Sequence, residues 1–248
     1  MKNLFAFIFY LVLTCNSFAQ INIVHPPNWW IGFENTDLQL LVKNENISNY
    51  DVFIDYPGVT IKSIQKADSP NYIFINLDIS PNTKEGNFKI IFKNDNEGLS
   101  YMYNLKNKRG FQYQNEGFDS SDVVYLITPD RFVNGDKKND IIRNMRENSI
   151  DRSDGYARHG GDIKGISENL DYIDNMGFTS LWLNPVLIND MKDGSYHGYA
   201  TTDYYKVDPR FGTFKEYLEL SEKAGEKNIK LIKDIIVNHC GLYHWWMD

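Results

Sequence analysis

Short stretches of alternating apolar and polar residues run through the first hundred or so positions of the chain. Residues 38–42, 52–55, 59–64, 72–79, 88–92 and 100–105 stand out, and Phe88-Lys89-Ile90-Ile91-Phe92 shows the period of two directly. A strand turns successive side chains to opposite faces, so this pattern predicts strands with one face buried. Pro57-Gly58, Ser69-Pro70, Ser80-Pro81 and residues 94–98 break the pattern at a spacing of roughly 8–12 residues, the cue for an antiparallel β-sandwich. No helical period survives here over more than two turns. Residues 106–120 are polar and contain glycine, and the predicted division is a sandwich over 20–110, a linker over 111–120 and a second domain over 121–248.

In that second domain the grammar is different. Residues 123–127 read as a buried strand. Ile166, Leu170, Ile173 and Met176 then fall at steps of four and three, one face of a helix that Gly177 stops where a left-handed residue is needed. Residues 179–183 form the next predicted strand. Thr213 with Glu216 three positions on predicts a capping box at the start of a second helix, with Phe214, Tyr217, Leu218 and Ala224 on its inner face. Residues 229–237 are a third strand. Strand and helix in alternation predict parallel α/β structure, and in a parallel barrel the chemistry gathers at the C-terminal ends of the strands.

The residues suited to chemistry fall at those ends. Asp234-Ile235-Ile236-Val237-Asn238-His239 places a carboxylate, an amide and an imidazole after the third strand. The loop after the second carries Tyr196-His197-Gly198-Tyr199, Asp203-Tyr204-Tyr205 and then Asp208-Pro209-Arg210-Phe211-Gly212-Thr213. A third group, Asn134-Gly135-Asp136-Lys137-Lys138-Asn139-Asp140 with Gly160-Gly161-Asp162 downstream, spaces carboxylate, amide and carbonyl oxygens around glycines, the donor set a hard cation such as Ca²⁺ takes. A solvated polar turn is the alternative for that loop on spacing alone.

Together these motifs resemble the alpha-amylase family of glycoside hydrolases, in its neopullulanase and cyclomaltodextrinase branch. Residues 234–239 are similar to the family's signature at the end of the third barrel strand. Residues 197–199, 203–205 and 208–213 are similar to the loop that shapes the sugar subsite beside the cleaved bond. Residues 125–132 are similar to the first barrel strand, and the β-rich segment with Pro27, Trp29 and Trp30 resembles the branch's extra N-terminal domain. The resemblance implies a β-sandwich followed by the first part of a (β/α)₈ TIM barrel, the sequence stopping after about the third strand. It implies a retaining hydrolase of α-glucosidic bonds in maltooligosaccharides, cyclodextrins or pullulan. It assigns sugar binding to His197, Tyr199, Asp234, Asn238 and His239, with Tyr199 stacking on the sugar, the two histidines donating hydrogen bonds and Asp234 orienting a charged partner. It assigns structural Ca²⁺ to Asn134, Asp136, Asn139, Asp140, Gly160 and Asp162. It also leaves a homodimer through the N-terminal domain open. The nucleophile and acid/base of such enzymes follow the fourth and fifth strands, so no catalytic residue is expected within these 248 positions. A non-catalytic glucan-binding protein on the same scaffold is the competing reading. Two departures stand out: Lys233 where an apolar residue is more usual, and Ala200 where many members carry an aromatic.

Composition and the N-terminus narrow the setting. The net charge of −7 supplies no basic field for nucleic acid or an anionic membrane. The aromatic content of 15% suits neutral sugars, whose C–H faces pack on rings. Lys2, the apolar run over residues 4–13 and Ser17-Phe18-Ala19 predict a signal peptide over residues 1–19, with export to the periplasm or the outside. Cys15 leaves a lipoprotein signal as the alternative. Cleavage after Ala19 would leave Cys240 alone, so no intramolecular disulfide is expected. No other stretch reaches the length of a membrane span.

Overall fold

The computed structural model describes residues 19–21, 23–107 and 117–247. The expected signal peptide, apart from Ala19, and residues 111–116 of the expected linker lie outside the described residues. The chain divides into two compact units, Met1–Gly110 and Phe111–Asp248.

The first unit contains β1 (Ala19–Gln20), β2 (Ile23–His25), β3 (Asn28–Trp30), β4 (Asp37–Lys43), β5 (Asp51–Ile54), β6 (Val59–Lys66), β7 (Tyr72–Ile79), β8 (Gly86–Lys93) and β9 (Gly98–Lys106). One sheet runs β2-β4-β7-β6, antiparallel throughout; the other runs β1-β9-β8-β5, with β3 also on β9. The expectation of a purely antiparallel sandwich needs one amendment, because β1 and β3 pair with β9 in parallel. The alternation sets the core: Leu38, Leu40 and Val42 of β4, Ile73, Ile75, Leu77 and Ile79 of β7, and Phe88, Ile90 and Phe92 of β8 all point into one cluster shared by both sheets. Each such buried side chain contributes about 1.5–3 kcal/mol relative to exposure, so an Ile75→Ala change would open a void in the middle of this core.

The second unit contains β10 (Val124–Ile127), α1 (Ile163–Glu168), α2 (Leu170–Asn175), β11 (Ser180–Leu183), β12 (Leu187–Ile188), β13 (Asp203–Val207), α3 (Phe214–Glu226) and β14 (Lys230–Lys233). Strands β10, β11 and β14 form a parallel three-stranded sheet in that order. Ile163, Ile166, Leu170, Ile173, Leu181, Leu183, Leu220 and Ala224 pack between helices and sheet. Among the described residues no helix is long and apolar enough to cross a membrane.

Three local expectations are corrected. The first helix is split at Asn169, whose side-chain amide takes the Gly165 carbonyl at 2.7 Å and so competes with the helix ladder; Met176, expected inside, is 59% exposed. The third strand ends at Lys233, because its partner β11 ends at Leu183 and Pro185 has no N–H to continue the ladder. The capping box of α3 is present, Thr213 Oγ1 accepting from Glu216 N and Glu216 Oε2 from Thr213 N, but the buried face is Tyr217, Leu220 and Ala224, while Phe214 and Leu218 are exposed. Lys233 is exposed, which accommodates its charge.

Candidate functional site

Between β11 and β13 the chain makes a short helical turn, Ser195–His197, flanked by Gly194 and Gly198, both at positive φ. Gly198 is required twice over. Its φ of 82° disfavours other residues, and a Cβ there would lie 2.0 Å from the Pro185 carbonyl oxygen. The turn brings His197 and Tyr199 together, rings stacked with centroids 5.8 Å apart. The Tyr199 backbone N–H donates to His197 Nδ1 at 2.9 Å, so in the neutral ring Nε2 carries the proton. Burial holds the His197 pKa below its ordinary value, opposed by the Glu147 carboxylate.

Asp234, the first residue past β14, receives this loop. Its Oδ2 accepts the Tyr199 hydroxyl at 3.0 Å and the Trp182 indole N–H at 3.1 Å. Trp182 pairs with Ile232 in register, and Asp234 two residues on lies on the same face. Burial, then the bond to Asp234 and its charge, raise the Tyr199 pKa, which keeps the phenol protonated. His239 reaches back to the same loop: Nε2 meets the Tyr199 carbonyl at 2.9 Å and Nδ1 meets the Asn238 amide at 2.7 Å. Its carbonyl accepts the Tyr204 hydroxyl at 2.6 Å. All five expected sugar-site residues are thus brought into one linked group. Their division of labour differs from the expectation in one respect: both nitrogens of His239 are engaged within the protein, whereas His197 retains an Nε2–H with no partner among the described residues.

The candidate cation loop is pulled around Asp162, which is fully buried. Asp162 Oδ1 accepts from Gly135 N at 3.1 Å and from Gly165 N at 2.6 Å, capping α1. Its Oδ2 accepts from Asp136 N at 2.8 Å and from the Asn139 amide at 3.2 Å. Asn134 donates its amide to Asp140 Oδ1 at 2.6 Å. Among the described residues, no group of three or more His, Cys, Asp or Glu side chains is gathered to hold a metal. The amides supply what the carboxylates alone do not. Asn134 Oδ1 and Asn139 Oδ1 are buried without a hydrogen-bond partner, an arrangement that is costly unless a donor or a cation meets their lone pairs. A Cβ on Gly160 would lie 2.7 Å from Asp140 Oδ1 and 2.8 Å from Asn134 Nδ2, so the glycine leaves room at that point. The donor set therefore fits a hard cation, which Asn134, Asp136, Asn139, Asp140, Asp162 and the Gly160 backbone would hold, tying the loop over residues 134–140 to the start of α1.

Sequence reasoning missed Trp182, although an aromatic with a polar tip at an alternating strand position is the type of residue that faces a site. It also missed a buried ionic group. Arg210 forks onto Asp208 with bonds of 2.9 and 2.7 Å, and both residues are fully buried. Asp130, Glu147 and Arg158 are buried close by in the same unit. Polar residues scattered over eighty positions give no local signal of such an assembly.

Residues 126–248 match the family model of the alpha amylase catalytic domain, and residues 23–109 that of the cyclomaltodextrinase N-terminal domain. The beta/alpha-amylase of Paenibacillus polymyxa is 45% identical over 122 residues, covering 49% of this chain and 10% of that protein. The cyclomaltodextrinase of Thermoanaerobacter pseudethanolicus is 39% identical over 119 residues, covering 48% of this chain and 20% of its own length. Neopullulanase 2 of Thermoactinomyces vulgaris is 36% identical over 121 residues, with 48% and 20% covered. The chain belongs to the alpha-amylase family of glycoside hydrolases, with a cyclomaltodextrinase-type domain ahead of part of the catalytic domain. It spans between a tenth and a fifth of the length of these three relatives.

Proposed function

We propose that this chain contributes the sugar-binding part of an exported hydrolase that cleaves α-glucosidic bonds in maltooligosaccharides, cyclodextrins or pullulan with retention. The observation that carries the reading is the joining of Tyr199, Asp234 and Trp182 at one carboxylate oxygen, which sets two aromatic rings beside the ends of adjacent parallel strands. An aromatic ring takes the apolar face of a sugar, and the Nε2–H of neutral His197 is placed beside it to donate to a hydroxyl. Ca²⁺ in the loop around Asp162 would be structural, and a homodimer through the N-terminal domain is compatible with the branch. Cleavage needs two carboxyl groups about 5–5.5 Å apart, and the resemblance puts those after strands four and five. These residues accordingly bind and orient sugar. The test compares the 248-residue chain with the protein extended through those strands. Both should bind maltohexaose in calorimetry, and only the second should release reducing sugar from soluble starch. Binding by Tyr199→Ala as tight as that of the wild type, or no binding by the wild type, would defeat the assignment of this site.

A further inference from the structure

Ser195 is fully buried, and every polar group it owns is gripped. Its N–H donates to Glu147 Oε2 at 2.7 Å. Its hydroxyl accepts from Arg158 Nη1 at 3.1 Å, and its carbonyl accepts from the Asn189 amide at 3.1 Å. Two of the three partners are held by Arg210, and the third, Arg158, is paired by charge while its Nε and Nη2 make no hydrogen bond. Arg210 donates to the Glu147 carbonyl at 2.9 Å and to the Asn189 carbonyl at 2.8 Å while forking onto Asp208. Arg158 lies 3.6 Å from Asp130 Oδ1, with its guanidinium over the Phe211 ring at 4.7 Å.

Buried charges are expensive unless paired and hydrogen-bonded. Here three of them, Arg158, Glu147 and Arg210, converge directly or through one neighbour on a single serine two positions before His197. The glycines on either side, Gly194 and Gly198, sit at positive φ and lack the Cβ that restrains rotation in other residues, Gly198 being confined only by its packing against the Pro185 carbonyl. A residue fixed between two glycines holds the turn on the side that the bonds of Tyr199 to Asp234 and His239 do not reach. We propose that Ser195 is the buried anchor that positions His197 and Tyr199, with Glu147 and Arg158 as its charged supports; for its effect on sugar this rests on the reading above. Sugar contact is not part of its role, since the residue is 0% exposed. Its effect is to remove freedom from the two side chains that would meet the sugar, the kind of support that holds a binding group within a fraction of an ångström.

The test uses the full chain with Ser195→Ala, Glu147→Ala and Glu147→Gln, the last keeping an amide oxygen for the Ser195 N–H. Leu220→Ala serves as a control that opens a core void beneath α3 with no bond to the turn. Amide exchange over residues 194–199, referred to β11, should quicken by about tenfold or more in both the serine and the glutamate-to-alanine variants. Glu147→Gln should stay within about threefold of wild type, and Leu220→Ala should lower the melting temperature without quickening this segment selectively. The dissociation constant for maltohexaose should rise by about tenfold in the two variants with faster exchange. Unchanged exchange in Ser195→Ala and Glu147→Ala, or equal quickening in Leu220→Ala, overturns the anchor. Exchange that shifts as expected while the wild type binds no α-glucan retains the anchor and removes the sugar reading. Faster exchange with undiminished binding, in a wild type that does bind, overturns the positioning role.

Discussion

The hydroxyl of Tyr199, in the loop between β12 and β13, meets the carboxylate of Asp234, one residue past β14, at 3.0 Å, and the Trp182 indole shares the same oxygen. The carboxylate is the joint of the candidate site, because without it two aromatic donors face each other with no acceptor. Asp234→Ala should therefore cost about 1.5 kcal/mol of stability, the partial exposure of Asp234 keeping this at the low end for bonds to a charged group. Affinity for maltohexaose should fall by about tenfold as the Tyr199 ring loses its fixed orientation. Tyr199→Phe, which removes the same bond and keeps the ring, should lose affinity by a similar factor. Urea titration and calorimetry on the three proteins check both statements, and an Asp234→Ala protein that binds as wild type would refute the second.

Gly198 is the tightest point of the loop. An added methyl would meet the Pro185 carbonyl oxygen at 2.0 Å on a backbone already at φ 82°. Gly198→Ala should destabilise the chain by about 2–4 kcal/mol, combining the positive-φ penalty with the clash. Gly117→Ala, where an added Cβ meets nothing within 4 Å, should change the urea midpoint little. Equal midpoints for the two variants would show that the loop yields freely.

The pH dependence follows from the direction of the histidine shifts. Burial lowers the pKa of His197 and of His244 below the ordinary 6.5. Each ring is then neutral in the fold at a pH where the unfolded chain already binds a proton. Stability is full above about pH 6.5 and falls as pH drops from there through the folded values. Melting temperatures should decline between pH 7 and 5, and His197→Asn should flatten part of that decline. A melting temperature that rises over this interval, or an unaltered slope in the variant, would contradict the assignment.

Strands of the sandwich were legible because one residue type alternates with another within the strand itself: the expected bounds of β7 agree with the observed Tyr72–Ile79. Thr213 and Glu216 were legible for the same local reason. What sequence could not disclose depends on partners far along the chain. Ile235 and Val237 read as a continuing strand, yet they are 50% and 88% exposed because β11 ends first and leaves them unpaired. Asn169 breaks its helix through a side-chain bond that leaves the apolar spacing intact. In the site, His197, Tyr199, Asp234, Asn238 and His239 came together as the motif order implied. Ser195 stayed invisible, since its partners lie 48, 37 and 6 positions away and only burial makes them matter.

Calcium should stabilise the second unit through the loop around Asp162. A ligand bound to the native state alone adds about 2.7 kcal/mol at a hundredfold excess over its dissociation constant. Adding Ca²⁺ to chelator-treated protein should therefore raise the melting temperature. Asn139→Ala should abolish that rise, because it removes one of the two orphaned amide oxygens. Mg²⁺ should substitute poorly, since it demands a smaller octahedral shell. A melting curve indifferent to Ca²⁺ in the wild type would count against every ligand assigned here.

Protease should distinguish the two units. In the first, the two sheets close over one core to which both contribute, Leu40, Ile75, Leu77, Ile90 and Phe92 being wholly or almost wholly buried. In the second, the parallel sheet has three strands, and β10 and β14 each pair on one side only among the described residues. Unpaired strand edges leave N–H and C=O groups open to water and to other chains, and opening from such an edge takes less free energy than opening from a closed core. Large apolar side chains also remain exposed in this unit, Leu126, Ile235, Val237, Leu242 and Trp246 among them, so less of its apolar surface is withdrawn from water. Brief trypsin treatment of the 248-residue chain should leave a resistant fragment whose C-terminal end falls between residues 106 and 120, read by mass spectrometry. Adding maltohexaose and Ca²⁺ should slow the loss of the second unit and leave the first unaffected, because both candidate sites lie beyond residue 120. Equal lifetimes for the two units without either ligand would mean that three parallel strands with their helices close a core as well as the sandwich does.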